Sequence, residues 1–369
     1  MDNRLTTLAA SINEGISKLN AYLSECNLPC PSFEPSGSQY DHFNSDAEGI
    51  AVGILDATQE LHDLVRNPRD LPFDHHFTLI PVHDVITNFG VARKVPLDGD
   101  ISYADLAAAT GVERGALTRL LRYGIVSRIF QEKRPGFVSH SAYTKLWVED
   151  KGTESLNAMI RDDIFPGRNY IADALEKWPG ADEPHQTAFQ LAEKSSQPTF
   201  FHQLAQTPGR AERFANSMSY FSRFENIAED YPWEDLRSGT LVESGGSQGH
   251  TAFKIAEKHP ALKIVVQDMP EVIAFAKTKE GRQVSFMEHD FFKEQPVKGA
   301  DAYMIRWCLH AWSDKYAARI LQALLPAMKE GTKVLVVEAV TPPFGSIPHT
   351  LQCRLCEYDT SMLMLGSAK

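Results

Sequence analysis

The chain has 369 residues, of which 43% are hydrophobic, 10% aromatic and 23% charged, values typical of folded soluble proteins rather than of disordered chains. This length predicts more than one folded unit. The net charge of −11 disfavours binding of a nucleic acid over the whole surface. No apolar run is long enough to span a bilayer, and the first residues lack the apolar stretch of a signal peptide, so we expect an intracellular, cytoplasmic protein.

The cysteines give no sign of a disulfide framework. There are five, a small and odd number that favours reduced thiols. Cys353 and Cys356 form a CxxC pair, but a zinc site would require Cys26 and Cys30 to approach from the far end of the chain. We therefore expect buried thiols and no metal.

Residues 1–66 contain two helical patterns separated by the proline- and serine-rich break PCPSFEPSGS. The second pattern carries an apolar stripe that requires a partner surface, and a second copy of the chain is one candidate. The stripe is formed by Ile50, Val52, Leu55, Leu61 and Leu64. We interpret this part as N-terminal dimerisation helices.

The segment ISYADLAAATGVERGALTRLLRYGIVSRIF and the residues after it give the order helix, turn, helix, hairpin. Ser102 is suited to cap the first helix and Gly111 to end it. This order predicts a winged-helix domain over residues 67–148. The segment is locally basic, which suits DNA, but its second helix is filled with core leucines and the rest of the chain is acidic, so packing is favoured over DNA binding.

Broken helices rich in Phe and Tyr fill residues 149–236, and we interpret them as a helical linker that lines a pocket for a flat, apolar small molecule. From residue 237 strand and helix patterns alternate, with strands TLVES, KIVVQ, VSFME, DAYMIR and KVLVVEAV. This alternation predicts a doubly wound, Rossmann-like α/β domain over residues 237–369. The fold class is thus a mainly α N-terminal part followed by a Rossmann-like domain.

A glycine loop, LVESGGSQGH, joins the first of these strands to a helix. Gly245, Gly246 and Gly249 allow the backbone to approach a ligand at a helix N-terminus. Taken alone, such a loop fits dinucleotides, flavins, nucleosides or a simple tight turn. Asp268 ends the next strand, where its carboxylate could accept hydrogen bonds from two ribose hydroxyls.

Further polar and aromatic residues follow the third and fourth strands. Asp290 and Phe291 could bond and cover an adenine ring, and IRWCLHAWSDKY presents Arg306, Trp307 and His310 at the same sheet edge. The chain has no lysine of a GxxxxGK[ST] phosphate loop, so a nucleoside with a cationic tail fits better than a nucleoside triphosphate.

His310 and Glu338 are the candidates for acid–base chemistry. A neutral imidazole near pH 7 suits removal of a proton from a phenol or enol. Glu338 ends the fifth strand and could hold the far imidazole nitrogen. Each residue alone is more simply a packed histidine or a surface carboxylate, and it is their combination with the nucleoside contacts that favours a catalytic pair.

The motifs LVESGGSQGH, VVQDMPEV, EHDFF, DAYMIRWCLHAWSDKYAARIL and KVLVVEAV resemble the successive motifs of plant- and fungal-type small-molecule O-methyltransferases. The upstream segments ISYADLAAATGVERGALTRLLRYGIVSRIF and KWPGADEPHQTAFQLA resemble the winged-helix dimerisation domain and helical linker of the fungal secondary-metabolite branch. The resemblance implies S-adenosylmethionine as cofactor, a small-molecule substrate and a homodimer, with no nucleic-acid or membrane partner. The cofactor-binding residues it implies are Glu243, Gly245, Gly246, Asp268, Asp290, Phe291 and Arg306. His310 would be the base, with Glu338 beside it.

The sequence departs from the family pattern at several positions. Ala311 stands where Asp or Asn usually follows the histidine, and Glu243 replaces the more usual Asp. The family pattern continues through a Lys-Glu-Arg-Thr stretch, whereas this sequence stops at Lys369, where that stretch would begin. A second glutamate beside the histidine and the last strands of the sheet are therefore expected to be missing, through trimming or divergence.

Three functions follow from these patterns. The favoured one is S-adenosylmethionine-dependent methylation of a hydroxyl on a small aromatic or polyketide-type secondary metabolite, with His310 as general base. The alternative is a pericyclase or dehydratase that binds the cofactor without consuming it, resembling fungal pericyclases, in which His140 and Trp307 could contact the substrate. A non-catalytic dimeric regulator is the third, and it leaves the nucleoside contacts unexplained.

Overall fold

The computed structural model describes residues 3–35, 44–67, 69, 79–207, 209–222, 226–276 and 283–366. The chain divides into two compact units, one formed by residues 1–150 and 341–356 and the other by residues 151–340 and 357–369. The end of the proline-rich break and part of the predicted winged-helix domain, residues 68 and 70–78, lie outside the described residues. Within the described ranges, no helix is long and apolar enough to cross a membrane.

Two long helices open the first unit, α1 (Arg4–Glu25) and α2 (Ser45–Val65). Asn3 and Asn44 cap them, because each side chain accepts a hydrogen bond from a backbone N–H of the first turn. The two helices pack against each other. Several apolar side chains on them remain exposed, namely Leu5, Ile16, Leu55, Leu64 and Val65.

Shorter helices and a small antiparallel sheet complete the N-terminal part of this unit. The elements are α3 (Leu79–Asn88), α4 (Val91–Lys94), β1 (Ile101–Ser102), α5 (Tyr103–Thr110), α6 (Arg114–Val126), β2 (Phe130–Gln131), β3 (Phe137–His140) and α7 (Ala142–Glu149). The strand order in this sheet is β1-β3-β2. Ser102 caps α5, and Gly111 ends it with φ of 74°. Leu117 and Leu121 of α6 are fully buried. The assignment of these elements to a winged-helix dimerisation module stays a prediction.

The prediction of buried thiols is wrong for four cysteines. Cys26, Cys30, Cys353 and Cys356 are exposed, whereas Cys308 is partly buried. The CxxC pair lies in the first half of a long helix, α18 (His349–Leu365), most of whose side chains there face solvent. An apolar run in the sequence was therefore a poor guide to burial at this position.

Helices form the first part of the second unit: α8 (Lys151–Met159), a π-helical turn (Ile160–Ile164), α9 (Phe165–Arg168), α10 (Ile171–Lys177), α11 (Ala188–Ala192), α12 (Phe200–Ala205), α13 (Arg210–Phe221) and α14 (Ile227–Asp230). A buried ion cluster links α13 to the π-helical turn and to the end of α11. Arg210 lies 2.6 Å from Asp163 and 3.1 Å from Glu193. Removing one partner of this cluster would leave a buried charge uncompensated, so we expect the loss of Arg210 or of Asp163 to destabilise this unit.

A five-stranded parallel sheet and its helices follow. Its elements are β4 (Thr240–Ser244), α15 (His250–Lys258), β5 (Lys263–Asp268), α16 (Pro270–Ala276), β6 (Val284–Glu288), β7 (Ala302–Arg306), α17 (Asp314–Leu324) and β8 (Lys333–Val337). The strand order in the sheet is β6-β5-β4-β7-β8. The central strands β4 and β7 are buried along nearly their whole length, as helices on both faces require. This sheet confirms the predicted Rossmann-like α/β domain.

The strand order places a switch point between β4 and β7, because the chain builds outward from β4 on one side and returns to its other side for β7. In open α/β sheets ligands bind outside the carboxyl ends of the strands at such a point. The carboxyl ends of β4, β5 and β7 carry the glycine loop, Asp268 and Arg306 respectively. The fold thus brings these candidate cofactor-binding residues to the same carboxyl edge of the sheet.

Candidate functional site

The glycine loop after β4 turns sharply over the end of β5. The backbone N–H groups of Gly245 and Gly246 both donate to the carbonyl of Gln267, at 2.8 and 3.1 Å. Gly245 has φ of 75°, a left-handed conformation that favours glycine. A Cβ on Gly245 would lie 2.5 Å from Sγ of Cys308. The loop therefore exists in this form only because these residues are glycines.

Asp268 is held by the same loop. Its two carboxylate oxygens accept hydrogen bonds from the backbone N–H of Ser247 and of Met269, each at 2.8 Å. Burial of the carboxyl outweighs these bonds and raises its pKa to about 6. Each oxygen keeps a second lone pair, so the carboxylate remains able to accept ribose hydroxyls.

Glu243 and Arg306 form a buried pair beneath the loop. Oε1 of Glu243 lies 3.7 Å from Nε of Arg306, and both side chains are almost fully buried. A Cβ on Gly246 would lie 2.8 Å from the carboxyl carbon of Glu243. The glutamate, the arginine and the glycine loop are therefore one packed constellation, which places three predicted cofactor contacts together.

Phe291 lies in the turn after β6 and packs against the glycine loop. Its ring packs edge-on against Phe292 and Trp312, and its Cε1 lies 3.5 Å from the position that a Cβ on Gly245 would take. Asp290 accepts a hydrogen bond from the backbone N–H of Phe292 at 3.0 Å, which fixes the turn that carries Phe291.

These residues fit S-adenosylmethionine. Gly245 and Gly246 present backbone without side chains at the carboxyl edge of the sheet, where open α/β sheets bind ligands, and the residues around them offer carboxylates, an aromatic face and no phosphate-binding lysine. Glu243, Gly245, Gly246, Asp268, Asp290, Phe291 and Arg306 would hold the cofactor. In the described part of the chain, no group of three or more His, Cys, Asp and Glu side chains is placed to bind a metal ion.

His310 and Glu338 are in direct contact. Oε2 of Glu338 lies 2.5 Å from Nδ1 of His310. Oε1 of the same carboxylate accepts the backbone N–H groups of Cys308 and Leu309, at 2.8 and 2.6 Å. The carboxylate at the end of β8 thus holds both the short helical turn that carries His310 and its ring.

The charge of Glu338 follows from these bonds. Burial opposes its ionisation, but the hydrogen bond from His310, the attraction to the imidazolium form of His310 and the two backbone donors outweigh burial and lower its pKa. When the imidazole is neutral, the ionised carboxylate accepts the proton on Nδ1, and the lone pair of the ring lies on Nε2. This is the tautomer that a general base at Nε2 requires.

Trp307 connects the two parts of the site. It adopts φ of 51°, an uncommon conformation for a bulky residue, and its backbone N–H donates to the carbonyl of Val337. Its indole stacks on Phe221 and meets His310 edge-on. An aromatic wall therefore stands beside the imidazole.

The sequence reasoning missed Tyr358. Its hydroxyl lies 2.7 Å from Nε2 of His310, and its ring meets Trp307 and His310 edge-on. It lies in α18, beyond the last strand, and no spacing in the sequence links it to the histidine. A contact made by a later helix is set by tertiary packing, which no local pattern reports.

His140, the residue considered for the alternative reaction, is buried in the first unit. Its Nδ1 lies 3.0 Å from Oγ1 of Thr144, and its Nε2 lies 3.1 Å from the carbonyl of Val95. Burial lowers the pKa of this histidine. To donate to a substrate, its ring would have to give up one of these two hydrogen bonds.

Comparison with known proteins identifies the family. Residues 181–367 match the model of the O-methyltransferase domain. The chain is 37% identical over 375 residues to O-methyltransferase gsfB of Penicillium aethiopicum, an alignment that covers 100% of this chain and 89% of the relative.

Two solved structures share the fold. The structure of OxaC in complex with SAH and oxaline superposes with a TM-score of 0.78 at 21% identity, covering 98% of this chain and 91% of OxaC. A structure described as a pericyclic reaction enzyme superposes with a TM-score of 0.77 at 24% identity, covering 96% and 90% of the two chains. The sequence matches go further than the fold: the chain belongs to the O-methyltransferase family, a family of S-adenosylmethionine-dependent enzymes.

Proposed function

We propose that the enzyme methylates a hydroxyl of a small aromatic or polyketide-type secondary metabolite, with His310 as the general base. The observation that carries this proposal is the contact between Glu338 and Nδ1 of His310. It fixes the imidazole in the tautomer that accepts a proton at Nε2, and it stabilises the imidazolium that results. S-adenosylmethionine supplies an electrophilic methyl group when bound.

The surroundings of His310 support an aromatic acceptor. Trp307, Phe221 and Tyr358 form a wall on which a flat ring can stack or meet an edge. The wall and the glycine loop both lie at the carboxyl edge of the sheet. Holding the acceptor oxygen in line with the methyl group can lower the activation barrier by about 7–11 kcal/mol. The proton step at His310 contributes a further factor of about 10² to 10⁴.

Incubation of the full chain with S-adenosylmethionine and a panel of phenols and hydroxylated pyridones, followed by mass spectrometry, tests this function. We expect one acceptor to gain the mass of a methyl group in step with formation of S-adenosylhomocysteine. A product of unchanged formula, or one that has lost water, with the cofactor intact would contradict methyl transfer and favour a pericyclase.

We further propose a homodimer formed through α1, α2 and the elements that follow them in the first unit. The exposed apolar side chains of α1 and α2 include Leu55 at 47% and Val65 at 65% of their full exposure, and a patch of exposed apolar side chains is typical of an interaction surface. A symmetric pairing of two chains would cover such a surface.

A further inference from the structure

The base nitrogen of His310 already has a hydrogen-bond donor. In the neutral imidazole, whose Nδ1 proton is accepted by ionised Glu338, Nε2 presents a lone pair, and the Tyr358 hydroxyl 2.7 Å away is the donor to it. Nε2 has a single lone pair in the ring plane. An acceptor hydroxyl therefore reaches it either by displacing Tyr358 or by passing its proton through Tyr358.

The packing of Tyr358 disfavours displacement. Its ring lies edge-on to Trp307, with centroids 5.1 Å apart, and to His310, with centroids 5.2 Å apart. The end of the same helix is fixed by Gly366, where a Cβ would lie 2.6 Å from the carbonyl oxygen of Ala311. Moving the phenol away from Nε2 would disturb its contacts with both rings, whereas a proton transfer requires no motion of the Tyr358 side chain.

We propose that Tyr358 is a catalytic residue that relays the proton of the acceptor hydroxyl to Nε2 of His310. This inference rests on the proposed function. The acceptor O–H bond breaks and its proton bonds to Oη of Tyr358, while the original Tyr358 proton moves to Nε2. The acceptor oxygen keeps the electron pair with which it bonds the methyl group of S-adenosylmethionine, the sulfur–methyl bond breaks to leave neutral S-adenosylhomocysteine, and the positive charge rests on the imidazolium facing Glu338.

The chemistry of the phenol agrees with this role. Burial, followed by the negative charge of Glu338, raises the pKa of Tyr358 well above its usual value. Tyr358 is thus neutral before and after the transfer, with one O–H bond exchanged for another. Its oxygen also has a lone pair free to accept a second hydrogen bond while it donates to His310.

The test compares Tyr358→Phe with Tyr316→Phe. Tyr316 is a matched control, because its hydroxyl also makes a side-chain hydrogen bond within this unit, but to the carboxylate of Glu183 at 2.6 Å and not to His310. We expect Tyr358→Phe to lower kcat about 10²-fold with KM nearly unchanged. The loss should shrink for a phenol acceptor acidic enough to be ionised already. Tyr316→Phe should keep the wild-type kcat.

Two measurements do not depend on the variant's turnover. In the cofactor-free protein, the ¹⁵N resonance of His310 Nε2 should shift on Tyr358→Phe. In single-turnover reactions of the wild type, the rate should fall as a quadratic function of the fraction of D₂O, because two protons move in the same step. A resonance that stays in place, or a dependence on one proton only, would overturn the relay.

The possible failures are distinguishable. In the first case, the wild-type chain methylates its acceptor, and Tyr358→Phe keeps or raises kcat or lowers KM. This result would show that the phenol competes with the acceptor, and only the relay would be refuted. A wild-type chain that methylates no hydroxyl would remove the proposed function, and the relay with it.

Discussion

The backbone of Gly366 lies directly against the backbone of Ala311. A Cβ on Gly366 would be 2.6 Å from the carbonyl oxygen of Ala311 and 3.1 Å from its carbonyl carbon. Ala311 follows His310 in the same short helical turn. The end of α18 is thus in contact with the turn that carries the base.

Gly366→Ala should therefore disturb the base as well as the fold. Because a backbone atom cannot move aside as a side chain can, we expect a loss of about 1–3 kcal/mol in the free energy of unfolding, together with reduced methyl transfer. Gly53→Ala is the control, since nothing lies within 4 Å of its added Cβ. Thermal unfolding and single-turnover rates of both variants are the measurements, and equal stability of the two would refute the close contact.

Asp268 predicts a pH dependence of cofactor affinity. In the free protein its pKa is about 6, and ribose hydroxyls donate to the ionised form. Affinity for S-adenosylmethionine should therefore rise between about pH 5 and about pH 7. Asp268→Asn should remove this rise and weaken binding by about 1.5–3 kcal/mol at neutral pH. Calorimetric titration at several pH values checks both, and an unchanged affinity in the folded variant would remove Asp268 from the site.

In the cofactor-free protein, Asp268 also makes the free energy of unfolding depend on pH, and this dependence has the opposite sign to that of cofactor affinity. Its pKa in the folded protein is raised from 3.8, so the native state binds more protons than the unfolded chain between these values. Stability of the cofactor-free protein should fall as pH rises through this range, and Asp268→Asn should lessen the fall.

Glu338→Gln tests the carboxylate that orients His310. Glu338 makes three hydrogen bonds in its ionised form, so the substitution should cost about 1–3 kcal/mol of stability and lower methyl transfer. Because its pKa is lowered in the folded state from the ordinary value of 4.5, the advantage of the wild type should be fully present above that ordinary value and be lost as pH falls through the lowered pKa of the folded protein. A stability difference independent of pH would argue that Glu338 is not ionised.

The proposed dimer predicts the mass of two chains in sedimentation at micromolar concentration. Leu55→Glu combined with Leu64→Glu places charges on exposed apolar positions of α2, and should yield monomers with an intact second unit. A wild-type chain that sediments as a monomer would contradict the dimer.

The sequence predicted the Rossmann-like domain well, because alternating strands and helices and a glycine loop are local signals. Asp268 and Arg306 were placed correctly at strand ends for the same reason. Tyr358 and Gly366 were not foreseen, since both act through a helix that returns to the site from the end of the chain. The burial of Cys353 was predicted wrongly, because apolar neighbours in sequence do not determine which face of α18 meets the protein.

The central claim is that His310 is the general base for methyl transfer, and His310→Ala tests it most directly. Cofactor affinity should stay nearly unchanged, because Arg306 and the carboxylates belong to the glycine-loop constellation, while single-turnover methyl transfer should fall about 10²-fold or more. The loss should shrink as pH approaches the pKa of the acceptor hydroxyl. If the variant binds the cofactor and transfers the methyl group at the wild-type rate, His310 is not the base and the account is wrong.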